Sequence, residues 1–167
     1  MAYADPPYPG CAKRHYGPDA QEVNYKVLIQ GLDENFDGWA VSCGSGHLKR
    51  VLAVCPDDIR IGSWVKPYSF SLHPGYRPPY NWEPVVFKQG RKNQHQYWFR
   101  DFIIANLPVL KDQNRKAVHG RKPVEFCYWV FKFLGLKPDD EFIDLFPGSG
   151  AVTRAWNAFR SQRRLPE

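Results

Sequence analysis

The stretch Glu141-Phe142-Ile143-Asp144-Leu145-Phe146, running into Pro147-Gly148-Ser149-Gly150 and a helical segment over residues 151–160, constrains this chain most. An apolar run of strand character meets a turn with two glycines, and helical periodicity follows. Such a unit belongs to a sheet flanked by helices, and its turn lets backbone approach a ligand closely. Two common ligands are disfavoured at once. A dinucleotide fingerprint wants a small third residue, where Thr153 stands, and an acid about 20 residues on to hold the ribose. After Asp144 the one carboxylate side chain is Glu167. A nucleotide P-loop is excluded because no Gly-Lys-Ser/Thr follows.

The rest of the chain fits the same architecture. Residues 20–32 place Val23, Val27, Leu28 and Leu32 at helical spacing. Residues 39–43, between Asp37-Gly38 and Gly44-Ser45-Gly46, read as a buried strand. Residues 47–54 read as a helix stopped by Pro56, residues 60–66 as a strand, and residues 82–88 as another, with Pro84 predicting an edge or a bulge. Residues 123–134 form an amphipathic helix that opens on Pro123 and ends at Gly135. Residues 67–84 and 89–120 read as long loops. Strands alternating with helices predict an α/β fold with a doubly wound, mostly parallel sheet, and 167 residues predict a single domain over 1–167.

Hydrophobic residues make up 43% and aromatics 16% of the chain, which excludes a disordered composition. No apolar run is long enough for a membrane span, and no charged segment followed by an apolar one marks a signal peptide. A cytoplasmic protein is expected. The four cysteines lack a C-x-x-C pair and the five histidines are dispersed, so free thiols and no metal site are expected. The net charge is +6 and the sequence pI near 9.2, a balance that favours an anionic partner, nucleic acid above all. Lys88, Arg91 and Lys92 cluster mid-chain and Arg115 and Lys116 follow. His95, Tyr97, Trp98 and Phe99 lie between them, a mixture suited to phosphate contact and base stacking.

The amino terminus supplies a second informative stretch. Met1-Ala2-Tyr3-Ala4 is one short strand, and Asp5-Pro6-Pro7-Tyr8 stops it, since two prolines continue neither a ladder nor a helix. Asp5 therefore stands where a rigid loop begins. In an open parallel sheet, ligands sit beyond the carboxyl ends of strands where the strand order reverses. Both Asp5 and the glycine turn follow strand-like segments, so the two ends of the chain can meet at one edge.

These residues resemble a known family. Asp5-Pro6-Pro7-Tyr8 and the run from Asp144 to Gly150 are similar to the catalytic and cofactor motifs of S-adenosylmethionine-dependent amino methyltransferases acting on nucleic-acid bases. The catalytic motif comes first, His119, Lys122, Pro123 and Glu125 follow in an H-x-x-K-P-x-E stretch, and the glycine loop comes last. That order resembles the permuted, β-type DNA N6-adenine methyltransferases. The resemblance implies a Rossmann-like methyltransferase fold and methyl transfer from S-adenosylmethionine to an exocyclic base amine, with N6 of adenine in DNA the first expectation and RNA left open. Asp5 and the Pro6 carbonyl would accept hydrogens from that amine, with Pro7 fixing the loop and Tyr8 stacking on an extruded base.

The cofactor would rest on Asp144, Phe146, Gly148, Ser149 and Gly150, with Lys122 and Pro123 nearby. Lys66 resembles a lysine beside the pocket in related enzymes, and with Lys88, Arg91, Lys92, Arg115 and Lys116 it completes the expected nucleic-acid contacts. Glu83 also resembles a family position. The sequence departs from the family after Gly150, where seventeen residues remain and two further strands are usual. The expected fold is therefore compact and short of those strands. Either the basic tail or a second subunit, identical or different, would complete the cofactor pocket, or cofactor binding would be weak. A catalytically silent subunit that binds nucleic acid for a partner is the alternative function.

Overall fold

The computed structural model of the chain describes residues 1–13, 17–67, 80–91, 100–107 and 121–161. In chain order these form β1 (Ala2–Ala4), α1 (Tyr25–Asn35), β2 (Trp39–Ser42), a 3-10 turn (Ser45–His47), α2 (Leu48–Leu52), β3 (Arg60–Val65) and β4 (Trp82–Lys88). β5 (Phe102–Ile104), α3 (Val124–Leu134), β6 (Ile143–Asp144) and α4 (Ala151–Ser161) follow. The strands make one sheet in the order β5-β3-β4-β2-β1-β6. β1 runs parallel to β2 and β6, and β3 runs parallel to β5. β4 is antiparallel to both β2 and β3, so five strands share one direction and β4 opposes them. The sheet is mostly parallel and helices cover its two faces, as the alternation of elements predicts.

Every residue of β1 and β2 is buried, and their side chains divide between the faces with period two. Ala2, Ala4, Trp39, Val41 and Val86 face Ile29 and Leu32 of α1 and Val51 of α2. Tyr3, Ala40, Val85 and Phe87 face the other way, onto Phe126, Val130 and Phe133 of α3. α3 is buried nearly all round because α4 lies on its outer side through Val152, Ala155 and Trp156. Asn24 caps α1, its side-chain oxygen accepting from the amides of Lys26 and Val27. Gly135 ends α3 with φ 72°, a conformation that suits glycine.

The connections locate the crevice. From β1 the chain crosses through α1 on one face to β2, and from β5 it crosses through α3 on the other face to β6. β1 and β6 lie side by side, with Tyr3 opposite Asp144 and the Leu145 amide donating to the Tyr3 carbonyl at 2.9 Å. Strand order reverses between them, so their carboxyl ends are where a doubly wound sheet binds its ligand.

Three features differ from what the sequence predicts. β4 is central, although Pro84 predicts an edge or a bulge. The Pro84 carbonyl still accepts from the Cys43 amide at 3.1 Å, and β2 ends at Ser42. The one bond proline cannot donate is thus the outermost of that ladder. β5 falls in a stretch that reads as loop, because three residues flanked by polar sequence show no periodicity. α1 begins at Tyr25, five residues later than its apolar spacing suggests, because Asn24 supplies the cap. Among the described residues no helix is long and apolar enough to cross a membrane, and Cys11, Cys43, Cys55 and Cys127 are free thiols.

β3 passes close to its neighbours at Gly62, where a Cβ would lie 2.8 Å from the Asp101 carbonyl oxygen and from the Trp129 ring. Neither neighbour is the free end of a flexible side chain, so Gly62→Ala is expected to destabilise the protein by about 1–3 kcal/mol. Urea denaturation should show a lower midpoint with an unchanged m value.

Candidate active site at the carboxyl edge of the sheet

β1 delivers Asp5 to the carboxyl edge, and the edge meets it with charge. Asp5 Oδ2 stands 3.1 Å from Lys122 Nζ, just ahead of α3. The same ammonium donates to Glu83 Oε1 on β4, and the other Glu83 oxygen receives Lys66 Nζ from the end of β3 at 3.3 Å. The chain of contacts is Asp5, Lys122, Glu83, Lys66, with two charges of each sign. Glu83 and Lys122 are each only 5% exposed. Asp5 is half-buried, and among the described residues its second oxygen, Oδ1, has no partner.

The floor is aromatic. Lys66 Nζ and Lys122 Nζ stand 4.9 and 5.2 Å from the centre of the Trp64 ring, and Lys122 also lies 5.4 Å from that of Phe126. Buried rings attract the cations electrostatically. Trp64 is itself held, its Nε1–H donating to the Ala105 carbonyl at 2.7 Å.

Burial pushes the Asp5 carboxyl up to about 6, with Lys122 opposing the rise and Glu83 adding to it. Burial also disfavours the Glu83 anion, but Lys122 and Lys66 overcome that and hold Glu83 below the usual carboxylate range. For Lys122 burial disfavours the cation, and Asp5 and Glu83 more than restore it. Around pH 7 the cluster therefore carries two carboxylates and two ammonium groups.

The loop after Asp5 is built to stay put. Pro6 is buried, and among the described residues no donor takes its carbonyl oxygen. The Tyr8 carbonyl accepts from the Cys11 amide at 2.8 Å, and Tyr25 of α1 donates its hydroxyl to the Pro7 carbonyl at 3.4 Å. The Tyr8 ring lies against Gly44, where a Cβ would approach it to 3.1 Å, and 6.2 Å from the His47 ring. Its phenol stays neutral well past the usual range because of burial, with Glu83 and Asp5 adding to the effect.

The second half of the edge is the turn after β6. Gly148 and Gly150 have φ of 44° and 69°, left-handed values that a side chain would strain. Asp144 closes β6. Its Oδ2 accepts from Thr153 Oγ1 at 3.0 Å, whereas Oδ1 is buried with no hydrogen-bond partner. An orphaned buried carboxylate oxygen is costly unless a donor arrives. Burial raises the Asp144 carboxyl above its ordinary range. Between the end of β5, the start of α3 and the start of α4 lies a cavity of about 700 Å³, lined by Ala105, Arg121, Lys122, Pro123, Ala151 and Arg154 among others. Among the described residues no cluster of three metal-ligating side chains occurs.

Asp5, Pro6, Tyr8, Lys66, Lys122, Pro123, Asp144 and the turn through Phe146, Gly148, Ser149 and Gly150 thus gather along one edge. Lys88 and Arg91 do not. Trp39 opposite Lys88 marks the amino-terminal edge of the sheet. Lys88 Nζ is held there by Asp33 at 2.6 Å and Asp58 at 3.6 Å. Arg91 forks onto Asp140 at 2.8 and 3.0 Å and donates to the Gly135 carbonyl. Both charges bind elements of the fold together, and Lys66 pairs with Glu83. Lys92, Arg115, Lys116 and His119 lie outside the described residues, as do most of the loops over 67–84 and 89–120. Glu83 is the residue whose weight sequence reasoning understates. Its signal is an acid within an apolar strand, where only a buried partner makes it tolerable.

No protein-family model matches the chain, and no curated protein matches it in sequence. Solved structures do match in shape. The crystal structure of an M1.HpyAVI-SAM complex superposes with a TM-score of 0.63 at 15% identity, covering 95% of this chain and 77% of that one. The crystal structure of M1.HpyAVI gives the same score and identity, with 95% and 76% covered. The chain has the M1.HpyAVI fold. That fold is reached here with a charge cluster of Asp5, Glu83, Lys66 and Lys122 at its carboxyl edge.

The titration of Asp5 has a consequence for stability. Its folded pKa lies above the unfolded value, so the folded state binds the proton more tightly. Stability relative to an Asp5→Asn variant is then highest near pH 4, falls as the pH rises towards 6, and levels off above it. Chemical denaturation of both proteins across pH 4–8 measures this difference. A constant difference would show that Asp5 ionises as a solvated carboxyl does.

Proposed function

We propose that the protein transfers a methyl group from S-adenosylmethionine to the exocyclic amine of a base in nucleic acid, N6 of adenine in DNA. The observation that carries the reading is the meeting of Asp5, with one oxygen free, and the glycine turn after Asp144 at the switch point of the sheet. The motif resemblance, the shared fold and the SAM in the M1.HpyAVI complex all point to the same chemistry.

The site residues suit that cofactor. Gly148 and Gly150 leave the backbone bare where a ligand would pass, and the unpartnered Asp144 Oδ1 suits an ammonium group. The cavity beside Lys122 and Pro123 is large enough for a nucleoside-sized molecule. S-adenosylmethionine, when bound, supplies an electrophilic methyl group on its sulfonium. The chain's own residues do the rest. An exocyclic amine is a weak nucleophile because its lone pair is delocalised into the ring. Asp5 Oδ1 and the Pro6 carbonyl oxygen, both without donors among the described residues, accept its two N–H groups and localise the lone pair. The prolines hold the two acceptors in place before substrate arrives. Asp5 can take up the proton released from the methylated amine and pass it on to water, since its carboxyl, pushed up to about 6, returns to the carboxylate at neutral pH. Tyr8 offers a ring face for the extruded base.

Methyl transfer from labelled cofactor onto mixed DNA and RNA, followed by nucleoside analysis, tests the reading, with labelled N6-methyladenine from DNA expected. Asp5→Ala should lower kcat by about 10²–10³ while calorimetry still shows cofactor binding. Folded protein that neither binds the cofactor nor labels any nucleic acid would sink the proposal.

Binding to nucleic acid should rest on Lys92, Arg115 and Lys116, because Lys88 and Arg91 are committed elsewhere. Replacing those three with alanine should flatten the dependence of log K on log salt by about 0.9 for each phosphate no longer neutralised. Replacing Lys88 and Arg91 should leave the slope unchanged and lower thermal stability instead.

A further inference from the structure

We propose that Glu83 is a positioning residue for Asp5, sharing the Lys122 ammonium from the neighbouring strand and so setting where the Asp5 carboxylate stands and how strongly it accepts a hydrogen bond. The inference rests on the reading of Asp5 as the acceptor for the substrate amine.

An acceptor for an amine needs electron density, and an undivided ammonium 3.1 Å away would draw it off. Here the ammonium is divided. Lys122 Nζ makes its closer contact with Glu83 and its longer one with Asp5. The share Glu83 takes is bounded in turn by Lys66, which holds the other Glu83 oxygen at 3.3 Å. Two carboxylates facing two ammonium groups leave the cluster neutral overall once Asp5 is ionised. Its geometry is over-determined, because β1, β3, β4 and the start of α3 each contribute one member, and Trp64 supports both lysines from below. Lys122 therefore has little freedom to follow Asp5, and Asp5 keeps one oxygen on the ammonium.

Among the described residues the other groups facing Asp5 are few. Asp144 on β6 is the remaining carboxyl. Tyr3 on β1, Tyr8 in the loop, Tyr25 on α1 and Cys43 beyond β2 also feel its charge, but burial keeps all four neutral through the neutral pH range. Around pH 6 the electrostatic setting of Asp5 is thus decided by Lys122, Glu83, Lys66 and Asp144.

The test follows the Asp5 carboxyl directly, by carbon NMR of protein labelled at aspartate carboxyls, alongside the pH profile of kcat/KM. Glu83→Gln removes a like charge and leaves Lys122 to Asp5 alone, so the Asp5 midpoint should fall by about one pH unit from its wild-type value. The acid limb of the profile should move with it, and kcat should drop while the KM for cofactor stays constant. Lys122→Met should move the midpoint the opposite way. Repeating the titration with Asp144→Asn separates the contribution of that carboxyl. Because Lys122→Met leaves two buried acids together and can fail to fold, the Glu83→Gln result stands as the deciding one. An Asp5 midpoint unmoved in folded Glu83→Gln overturns the proposal. A midpoint that moves in a protein without methyl transfer upholds the electrostatic coupling and overturns the proposed activity instead.

Discussion

Everything at the carboxyl edge depends on one buried cation. An ammonium out of water is expensive unless ion pairs and hydrogen bonds replace its hydration, and Lys122 has two carboxylates and two aromatic faces. Removing either carboxylate leaves a charge without compensation in a dry place. The cluster therefore demands that β1, β3, β4 and the start of α3 sit in one arrangement. Apolar contacts would tolerate small slippages that this constellation does not. The specificity of the fold and the geometry of the site come from the same contacts.

The sheet provides what the cluster cannot. β1 is only three residues long, yet both its faces are buried and both its edges are paired. A strand so short is held by its neighbours, and that makes Asp5 a fixed point although it lies next to the chain terminus. Beyond it the prolines and the Tyr25 contact extend the rigidity by a few residues. Across the switch point the two glycines do the opposite work, turning the backbone through left-handed conformations and leaving it bare. One half of the edge is charged and stiff, and the other is open and small.

The opposite edge shows why basic residues are poor guides when read as a string. Lys88 and Arg91 lie within a basic stretch of the sequence, but Lys88 ties β4 to α1 through Asp33, and Arg91 ties the loop after β4 to the residues beyond α3 through Asp140. Their partners are distant in the chain, so no local pattern reveals them. Net charge does report a general attraction to anions, but it says nothing of which cations are already occupied.

Much of this protein is legible in its sequence because the relevant physics is local. Alternating periodicities reveal a parallel sheet between helices, glycines mark a bare turn, and paired prolines mark the end of a strand and the start of a rigid loop. Asp5 and Asp144 can be singled out because each ends a strand before such a loop. What lies beyond the sequence is pairing across distance. Glu83, Lys66 and Lys122 each resemble a family position when taken singly, but nothing in the sequence joins them into one cluster. Pro84 looks like the mark of an edge although it sits in a central strand. Only the tertiary structure decided that these side chains meet, because a buried carboxylate and a buried ammonium are tolerable together and costly apart. That condition is satisfied in space, between strands whose order in the sheet is not their order in the chain.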